Sequence, residues 1–329
     1  MTEPADGHDP SLDPSWEEEV ARTTGFWQRL GLPGLLDVHT HFLPPPVQAK
    51  VWAQFDAAGP KLGREWPIRY RGSVEERVAQ LRELGVRRFS TLPYAHRPGI
   101  AGYLNDWAAQ FKREVPESLW SATLYPEPEA AAYVAAGIEA GVEIWKVHVQ
   151  VGEFHLDDPL LDPVWALLAE AGTPVVVHAG HAPVGNEFTG PASSARVLAR
   201  NPDLAMVVAH MGAPDFTESL DLADRYERVR LDTTMVFTDF DLGDGTPSTY
   251  ADALLERLDR QRDRVLLGTD FPTIPYPYVH QLESLERLGL GDDWLRAVCW
   301  DNAAALVGAE SAAPGQERPA QEQPGGRRG

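Results

Sequence analysis

Cysteine is almost absent from this chain of 329 residues, because Cys299 is the only one. No disulfide framework is therefore expected, and the single thiol is predicted to be buried in the core. Basic residues are also scarce, since 29 lysines and arginines stand against 49 aspartates and glutamates, and the formal net charge is −20. That charge argues against nucleic acid or an anionic membrane surface as a partner.

Long hydrophobic runs are missing as well. No apolar stretch approaches the ~20 residues that a membrane-spanning helix needs, and the acidic N-terminus has no apolar signal core. We therefore expect a cytoplasmic protein without a membrane partner. Residues 1–25 are predicted to be a flexible acidic tail and residues 310–329 a disordered C-terminal tail, because both are poor in apolar residues. One domain is predicted between them, at residues 26–309.

Within this domain, short apolar runs alternate with amphipathic segments of helical periodicity. Ser73 and Glu76 have the spacing of a capping box that begins one of these helices. Eight runs that alternate with helices predict an α/β fold, a (β/α)8 TIM barrel. An open, doubly wound sheet is the alternative, but the chain has no glycine-rich phosphate loop of the expected spacing. The predicted strands are residues 34–39, 86–92, 119–124, 143–149, 174–178, 204–210, 228–231 and 265–268.

Histidines and an aspartate follow several predicted strands, at the end where such barrels carry their active sites. His39 and His41 are two residues apart on the first strand, so their imidazoles project to the same face. His178, His210 and Asp270 each end a later apolar run. Imidazoles and a carboxylate form a donor set that suits zinc and also accepts manganese or iron. The alternative, that these histidines are structural, fits a lone histidine better than the whole set.

The residues around these histidines form four motifs that also carry a family resemblance. The motifs are Asp37-x-His39-x-His41-Phe42, Pro174–Gly180, Val207–Gly212 and Leu267–Pro272. Over about residues 34–308 the sequence resembles the amidohydrolase superfamily, most closely the amidohydrolase-related branch. That branch contains metal-dependent TIM-barrel hydrolases and the aminocarboxymuconate-semialdehyde decarboxylase-like enzymes, and homodimers are common in it.

The resemblance implies one divalent metal, with zinc preferred over manganese or iron. By the resemblance, His39, His41, His178 and Asp270 would bind the metal and His210 would stand beside it. Asp270 would also accept a proton during catalysis, and His210 would contact the water or the substrate.

Further polar residues near the predicted strand ends are candidates for substrate binding. Lys146 and His148 share one face of the fourth strand, and a lysine inside a barrel is costly unless it meets an anion or loses its charge. We favour contact with a substrate carboxylate; the alternative is a carbamylated lysine that bridges two metals, as in dinuclear members of the superfamily. His181, Tyr94 and Arg97 lie in loops after the fifth and second strands and are further candidates.

Two further residues, Asp232 and His280, are predicted to contact neither the metal nor the substrate. Asp232 follows the seventh strand and is a candidate to orient a neighbouring imidazole. His280 is predicted at the surface of a late helix.

Three functions remain open at this stage. The first is a metal-dependent hydrolase that acts on a small, carboxylated amide, ester or lactone. The second is a non-oxidative, metal-dependent decarboxylase. The third is a non-catalytic binding relative, against which the complete ligand set argues. In each case the partner is a small molecule, and a homodimer is possible.

Overall fold

The computed structural model describes residues 14–62, 65–238, 240 and 252–308. Among these residues, strands and helices alternate along the chain. The strands are β1 (Leu35–Asp37), β2 (Val86–Phe89), β3 (Ser121–Thr123), β4 (Ile144–His148), β5 (Val175–His178), β6 (Met206–Val208), β7 (Arg230–Asp232) and β8 (Val265–Leu266). The α-helices are α1 (Trp16–Arg29), α2 (Pro45–Asp56), α3 (Gly59–Leu62), α4 (Val74–Leu84), α5 (Ala101–Glu114), α6 (Ala130–Ala140), α7 (Val149–Gly152), α8 (Asp162–Ala171), α9 (Pro191–Arg200), α10 (Phe216–Arg225), α11 (Asp252–Arg260), α12 (Tyr278–Arg287), α13 (Asp292–Arg296) and α14 (Asn302–Val307).

The strands are parallel and follow one another in chain order around a barrel. Strands β3 to β8 form one sheet, and β1 pairs with β2. Backbone hydrogen bonds link the two groups on both sides, from Val38 N to Leu267 O at 2.9 Å and from Leu119 N to Phe89 O at 2.6 Å. Because the chain beside β1 thus bonds to the chain beside β8, the sheet is closed. The predicted TIM barrel is confirmed, and the open-sheet alternative is excluded.

Each predicted strand overlaps an observed one, although the observed strands are shorter and β7 ends at Asp232, one residue beyond its predicted range. The longest is β4, with 5 residues, and β8 has only 2. Both faces of the strands are buried, one inside the barrel and one against the helices, as the consecutive buried residues Val175, Val176 and Val177 of β5 illustrate. The chain leaves the sheet pattern where the polar residues begin, so that His210 lies in a turn of left-handed backbone conformation after β6.

The helix boundaries follow the local signals in the sequence. The predicted capping box of α4 is present, since Glu76 N donates to Ser73 Oγ at 3.2 Å and Ser73 N donates to Glu76 Oε2 at 2.7 Å. The same helix ends at Gly85, whose φ of 83° suits a residue without a Cβ. The sequence therefore determines this helix at both of its ends.

The prediction of a flexible tail through residue 25 is wrong for residues 16–25, which lie in α1. An acidic first turn begins this helix, and such residues favour a helix N-terminus. Its Phe26 is buried in the core, and its Glu19 is fully buried, where it accepts hydrogen bonds from the Tyr70 hydroxyl and from Tyr278 N. Residues 1–13 and 310–329 of the predicted tails lie outside the described residues.

One further surface prediction is wrong, because His280 is buried. It lies on α12, which packs against α1 and is covered by it. The docking of α1, which the acidic composition of the N-terminus did not indicate, explains why α12 has so little exposed surface. None of the helices in the described part of the chain is long and apolar enough to cross a membrane.

Candidate metal centre

Three predicted ligands meet at the mouth of the barrel. His39 and His41 follow β1, and Asp270 follows β8, the strand that lies beside β1 in the closed barrel. Each offers one donor atom, and the three atoms lie within 4.8 Å of one another. Asp270 Oδ1 is 2.9 Å from His41 Nε2 and 3.6 Å from His39 Nε2. Two imidazole nitrogens and a carboxylate oxygen at such spacing fit a divalent transition metal.

The hydrogen bonds of the opposite ring nitrogens orient the imidazoles. His41 Nδ1 is 3.0 Å from Leu92 O, and His210 Nδ1 is 3.1 Å from Thr234 O. A carbonyl can only accept, so each Nδ1 carries a proton, and in the neutral imidazole Nε2 then keeps its lone pair. His39 Nδ1 likewise bonds Asp232 Oδ2 at 2.9 Å. The three histidines therefore have the tautomer that leaves Nε2 available to a metal.

Two buried aspartates hold the backbone around these ligands. Asp232 Oδ1 accepts from His210 N at 2.9 Å, so this carboxylate fixes both a ring and a turn. Burial alone would raise the pKa of Asp232, but His39 and His210 lower it well below its usual range. Asp37 accepts from His39 N at 3.0 Å and from Thr269 Oγ1 at 2.6 Å. It thus links the chain at β1 to the chain after β8, and burial raises its pKa to about 7.

Backbone geometry at the same strand ends is restricted. Asp270 has a φ of 72° and His210 a φ of 52°, in the left-handed region that non-glycine residues seldom adopt. Such residues are maintained by the surrounding structure and often occur at functional sites. Gly268 lies between these segments, and a Cβ there would collide with Thr234 Oγ1 and come within 2.8 Å of His39 Cβ. A glycine is therefore required for His39 to lie so close to β8.

The fourth predicted ligand, His178, belongs to the same cluster but has a different orientation. Its ring centroid is 4.5 Å from that of His210, and its ring stacks on His148 at 3.8 Å. Its Nε2 lies 3.3 Å from Ala182 O, which leaves Nδ1 as the nitrogen with a free lone pair. His178 is therefore next to the three converging donor atoms without joining them, and its role as a ligand stays a prediction.

Lys146 is the cation of this site. It is fully buried on β4, and its Nζ lies 3.0 Å from His39 Nε2. Burial lowers the pKa of Lys146 to about 8, although Asp232 and Asp270 favour its charged form. Burial and the charge of Lys146 lower the pKa of His39 to about 3. His39 is therefore a neutral imidazole at neutral pH, which is the form that binds metals.

The predicted substrate contacts divide into two groups. Tyr94 lies near the centre, with its ring 5.4 Å from His41 and 5.5 Å from His148. His148 Nδ1 is buried and has no hydrogen-bond partner among the described residues. His181 instead pairs with Asp215 at 2.5 Å in an exposed position.

Arg97 is exposed in the loop after β2. The structure thus brings Tyr94, Lys146 and His148 to the centre, and leaves His181 and Arg97 at its periphery.

Some supporting residues were missed in the sequence. The carbonyl groups of Leu92 and Thr234 orient two imidazoles, and no side-chain signal marks a backbone acceptor. Asp37 received no role, although its position two residues before His39 put it on the same strand face. The suggested role of Asp232 as an orienting carboxylate agrees with the observed contact to His39.

The similarity of this chain to known proteins is consistent with this arrangement. A family model described as amidohydrolase matches residues 36–309. No curated protein is significantly similar to the sequence.

Several solved structures share the fold at low sequence identity. An uncharacterised TIM-barrel protein from Bordetella bronchiseptica is 20% identical, with a TM-score of 0.65, and the match covers 84% of this chain and 99% of that one. A 5-carboxyvanillate decarboxylase from Sphingomonas paucimobilis is 17% identical, with a TM-score of 0.60 and coverage of 84% and 99%. A dihydroxybenzoic acid decarboxylase from a Polaromonas species, with bound manganese and the inhibitor 2-nitroresorcinol, is 17% identical, with a TM-score of 0.61 and coverage of 85% and 98%.

Proposed function

This chain belongs to the amidohydrolase family, and from that membership we propose that it is a metal-dependent, non-oxidative decarboxylase of a small carboxylic acid. The observation that carries the acidic substrate is the position of Lys146, a buried cation 3.0 Å from a predicted metal ligand. A carboxylate bound there would contact directly a lysine whose charge Asp232 and Asp270 favour only through space. The two decarboxylases with the same fold support this choice over hydrolysis.

The donor set fits one divalent metal. His39, His41 and Asp270 would hold it, with His178 as the fourth predicted ligand. The nitrogen and oxygen donors accept zinc, manganese or iron, and the manganese bound in a structural neighbour favours manganese as the first metal to test. When bound, the metal would supply Lewis-acid polarisation of substrate oxygens.

The protein's own groups would bind the acid and manage the proton. In the reaction, the bond to the carboxylate carbon breaks, carbon dioxide leaves, and the electron pair that stays on the substrate carbon takes up a proton. Lys146 would hold the negative charge of the acid. His210 is anchored through Nδ1, so its Nε2 can exchange a proton with the substrate or with water. Tyr94 and the stacked pair His148 and His178 would offer aromatic surface to a planar ring.

Hydrolysis is the second candidate, and one contact favours it. Asp270 Oδ1 lies 2.9 Å from His41 Nε2, so a carboxylate with proton-accepting capacity stands among the predicted ligands. A carboxylate in this position suits removal of a proton from an attacking water molecule. The substrate would then be an ester, amide or lactone that also carries a carboxylate for Lys146.

A paired assay distinguishes the two candidates. Protein loaded with manganese or with zinc is incubated with a panel of hydroxybenzoic acids and with carboxylated lactones, esters and amides. Carbon dioxide release and net acid production are followed in parallel. We expect release of carbon dioxide. When the reaction is run in deuterated water, the carbon that lost the carboxylate should carry one deuterium. Acid production without carbon dioxide would contradict the decarboxylase proposal and support the hydrolase.

Controls with the predicted ligands link the activity to the metal. His41→Ala and Asp270→Asn are each expected to lose bound metal and turnover together. Purified wild-type protein that holds less than one metal per ~10 chains after incubation with metal would contradict the proposed centre.

A further inference from the structure

A second cluster of polar side chains lies between α2 and α4, behind the loop that follows β1. Its centre is Arg77 of α4, of which only 2% is exposed. Arg77 Nε donates to Ser73 O at 3.3 Å, and Nη1 donates to Gln48 Oε1 at 3.1 Å. Both acceptors are neutral, and none of the ion pairs among the described residues includes Arg77. A buried guanidinium without a carboxylate is costly, because burial removes its hydration without an opposing charge.

The groups around Arg77 add further donors without acceptors. Gln48 Nε2 and Trp52 Nε1 are both buried and have no hydrogen-bond partner within the described part of the chain. Gln48 and Trp52 are four residues apart on α2, so they share one face of the helix. The Arg77 guanidinium lies over that face, 5.4 Å from the Trp52 ring. The Arg77 guanidinium therefore lies against a helix face that carries an amide N–H and an indole N–H without acceptors among the described residues.

Neighbouring groups do not supply the missing charge. Arg71 also lies over the Trp52 ring, at 5.7 Å, but its own charge is neutralised by Asp56. Glu75 acts on Arg77 only through space and is fully exposed to solvent. Gln80, one turn after Arg77, has a buried Oε1 that bonds none of these donors. Among the residues that the structure describes, one positive charge in the cluster therefore has no carboxylate partner.

We propose that Arg77, Gln48 and Trp52 bind a small monovalent anion of the size of chloride. One uncompensated guanidinium matches one negative charge, and the two neutral N–H groups complete its hydrogen bonds. Arg77 also lies 5.1 Å from the ring of Phe42, the residue after His41. Binding of the anion therefore stabilises the packing directly behind the metal centre, at a position apart from the metal and the substrate.

Bromide, which replaces chloride and scatters anomalously, tests the site directly. Crystals of the wild-type protein are grown in sodium bromide, and the anomalous difference map is calculated at the bromine absorption edge. We expect a peak within hydrogen-bond distance of Arg77, Gln48 Nε2 and Trp52 Nε1. A water molecule at that position, with no anomalous peak, would overturn the proposal.

Thermal unfolding tests the same site in solution. Chloride is exchanged for gluconate, an anion too large for a buried site, at constant sodium concentration. Above the dissociation constant, the Tm of the metal-loaded protein should rise by about 2 °C for each tenfold increase in chloride. Arg77→Met should abolish this dependence, and the matched variant Arg71→Met should keep it.

If chloride acted at the metal instead, its effect on Tm would persist in Arg77→Met. An equal dependence of Tm on chloride in this variant and in the wild type would therefore contradict the proposal. If Arg77→Met does not fold, Gln48→Leu is used instead. We expect the Tm of Gln48→Leu to depend less on chloride than that of the wild type. An unchanged dependence would contradict the proposal.

Discussion

His39 and Asp232 form a fully buried pair in which Nδ1 of the imidazole lies 2.9 Å from a carboxylate oxygen. The two residues are 193 positions apart in the sequence; His39 follows β1, and Asp232 ends β7, which does not pair with β1. Their contact determines which nitrogen of His39 carries the proton. It therefore determines whether Nε2, the nitrogen that faces Asp270, can donate its lone pair to a metal.

Asp232→Asn is expected to weaken metal affinity by roughly 10–100-fold, the usual effect of losing such a partner. The amide nitrogen of asparagine would donate to Nδ1 and move the proton to Nε2, where it blocks the metal. Titration of the apoprotein with manganese, followed by calorimetry, measures the change. Asp215→Asn is the control, because it breaks the exposed pair with His181 away from the centre. Equal affinities in the wild type and Asp232→Asn would contradict the tautomer argument.

His210→Ala should retain the metal and lose turnover. Its ring lies 5.1 Å from that of His39, and His210 is predicted beside the metal rather than among its ligands. Metal analysis of the purified variant, together with kcat on the substrate found in the panel, tests this. His96→Ala, at an exposed position in the loop after β2, is the control for a histidine outside the centre. Loss of metal from His210→Ala would move this residue into the ligand set.

Lys146→Met is expected to keep one metal per chain and to raise the KM for carboxylated substrates at least tenfold. The Lys146 ammonium lies against the Nε2 lone pair of His39, so its removal should leave metal affinity unchanged or increased. Metal analysis and steady-state kinetics measure the two effects separately. Lys112→Met, which removes a partner of Glu143 on the outside of the barrel, is the matched control. A loss of half the metal in Lys146→Met would instead support a carbamylated lysine between two metals.

Glu19 provides a prediction about stability that is independent of the metal. Burial raises the pKa of Glu19 above its ordinary value of 4.5, despite hydrogen bonds that oppose the shift. The folded state then binds more protons than the unfolded state just above pH 4.5, so this group's contribution to stability falls as the pH rises. The free energy of unfolding of wild type minus that of Glu19→Gln should therefore decrease between about pH 4.5 and pH 7. Urea unfolding at several pH values measures it, and a difference that grows with pH would contradict the prediction.

Local sequence signals were sufficient for much of the fold. Apolar runs located every strand, and the spacing of Ser73 and Glu76 located the start of α4, because secondary structure depends on residues close together in the chain. The same signals failed for α1. Its acidic first turn resembled a solvated tail, whereas Glu19 is buried by contacts with Tyr70 and Tyr278, which are far away in the sequence.

The sequence alone determined which groups could bind a metal: two histidines spaced to share one face at the end of the first predicted strand, and later polar residues that each end an apolar run. Only the tertiary structure decided how those groups are oriented. Closure of the barrel brings Asp270 to within 2.9 Å of His41, and remote partners decide the tautomers of the imidazoles. It also sets His178 apart, since its Nε2 is directed to Ala182 O. The physical reason is that a pattern along the chain encodes the direction of a side chain relative to its own strand, whereas hydrogen-bond partners depend on strands that meet only after folding.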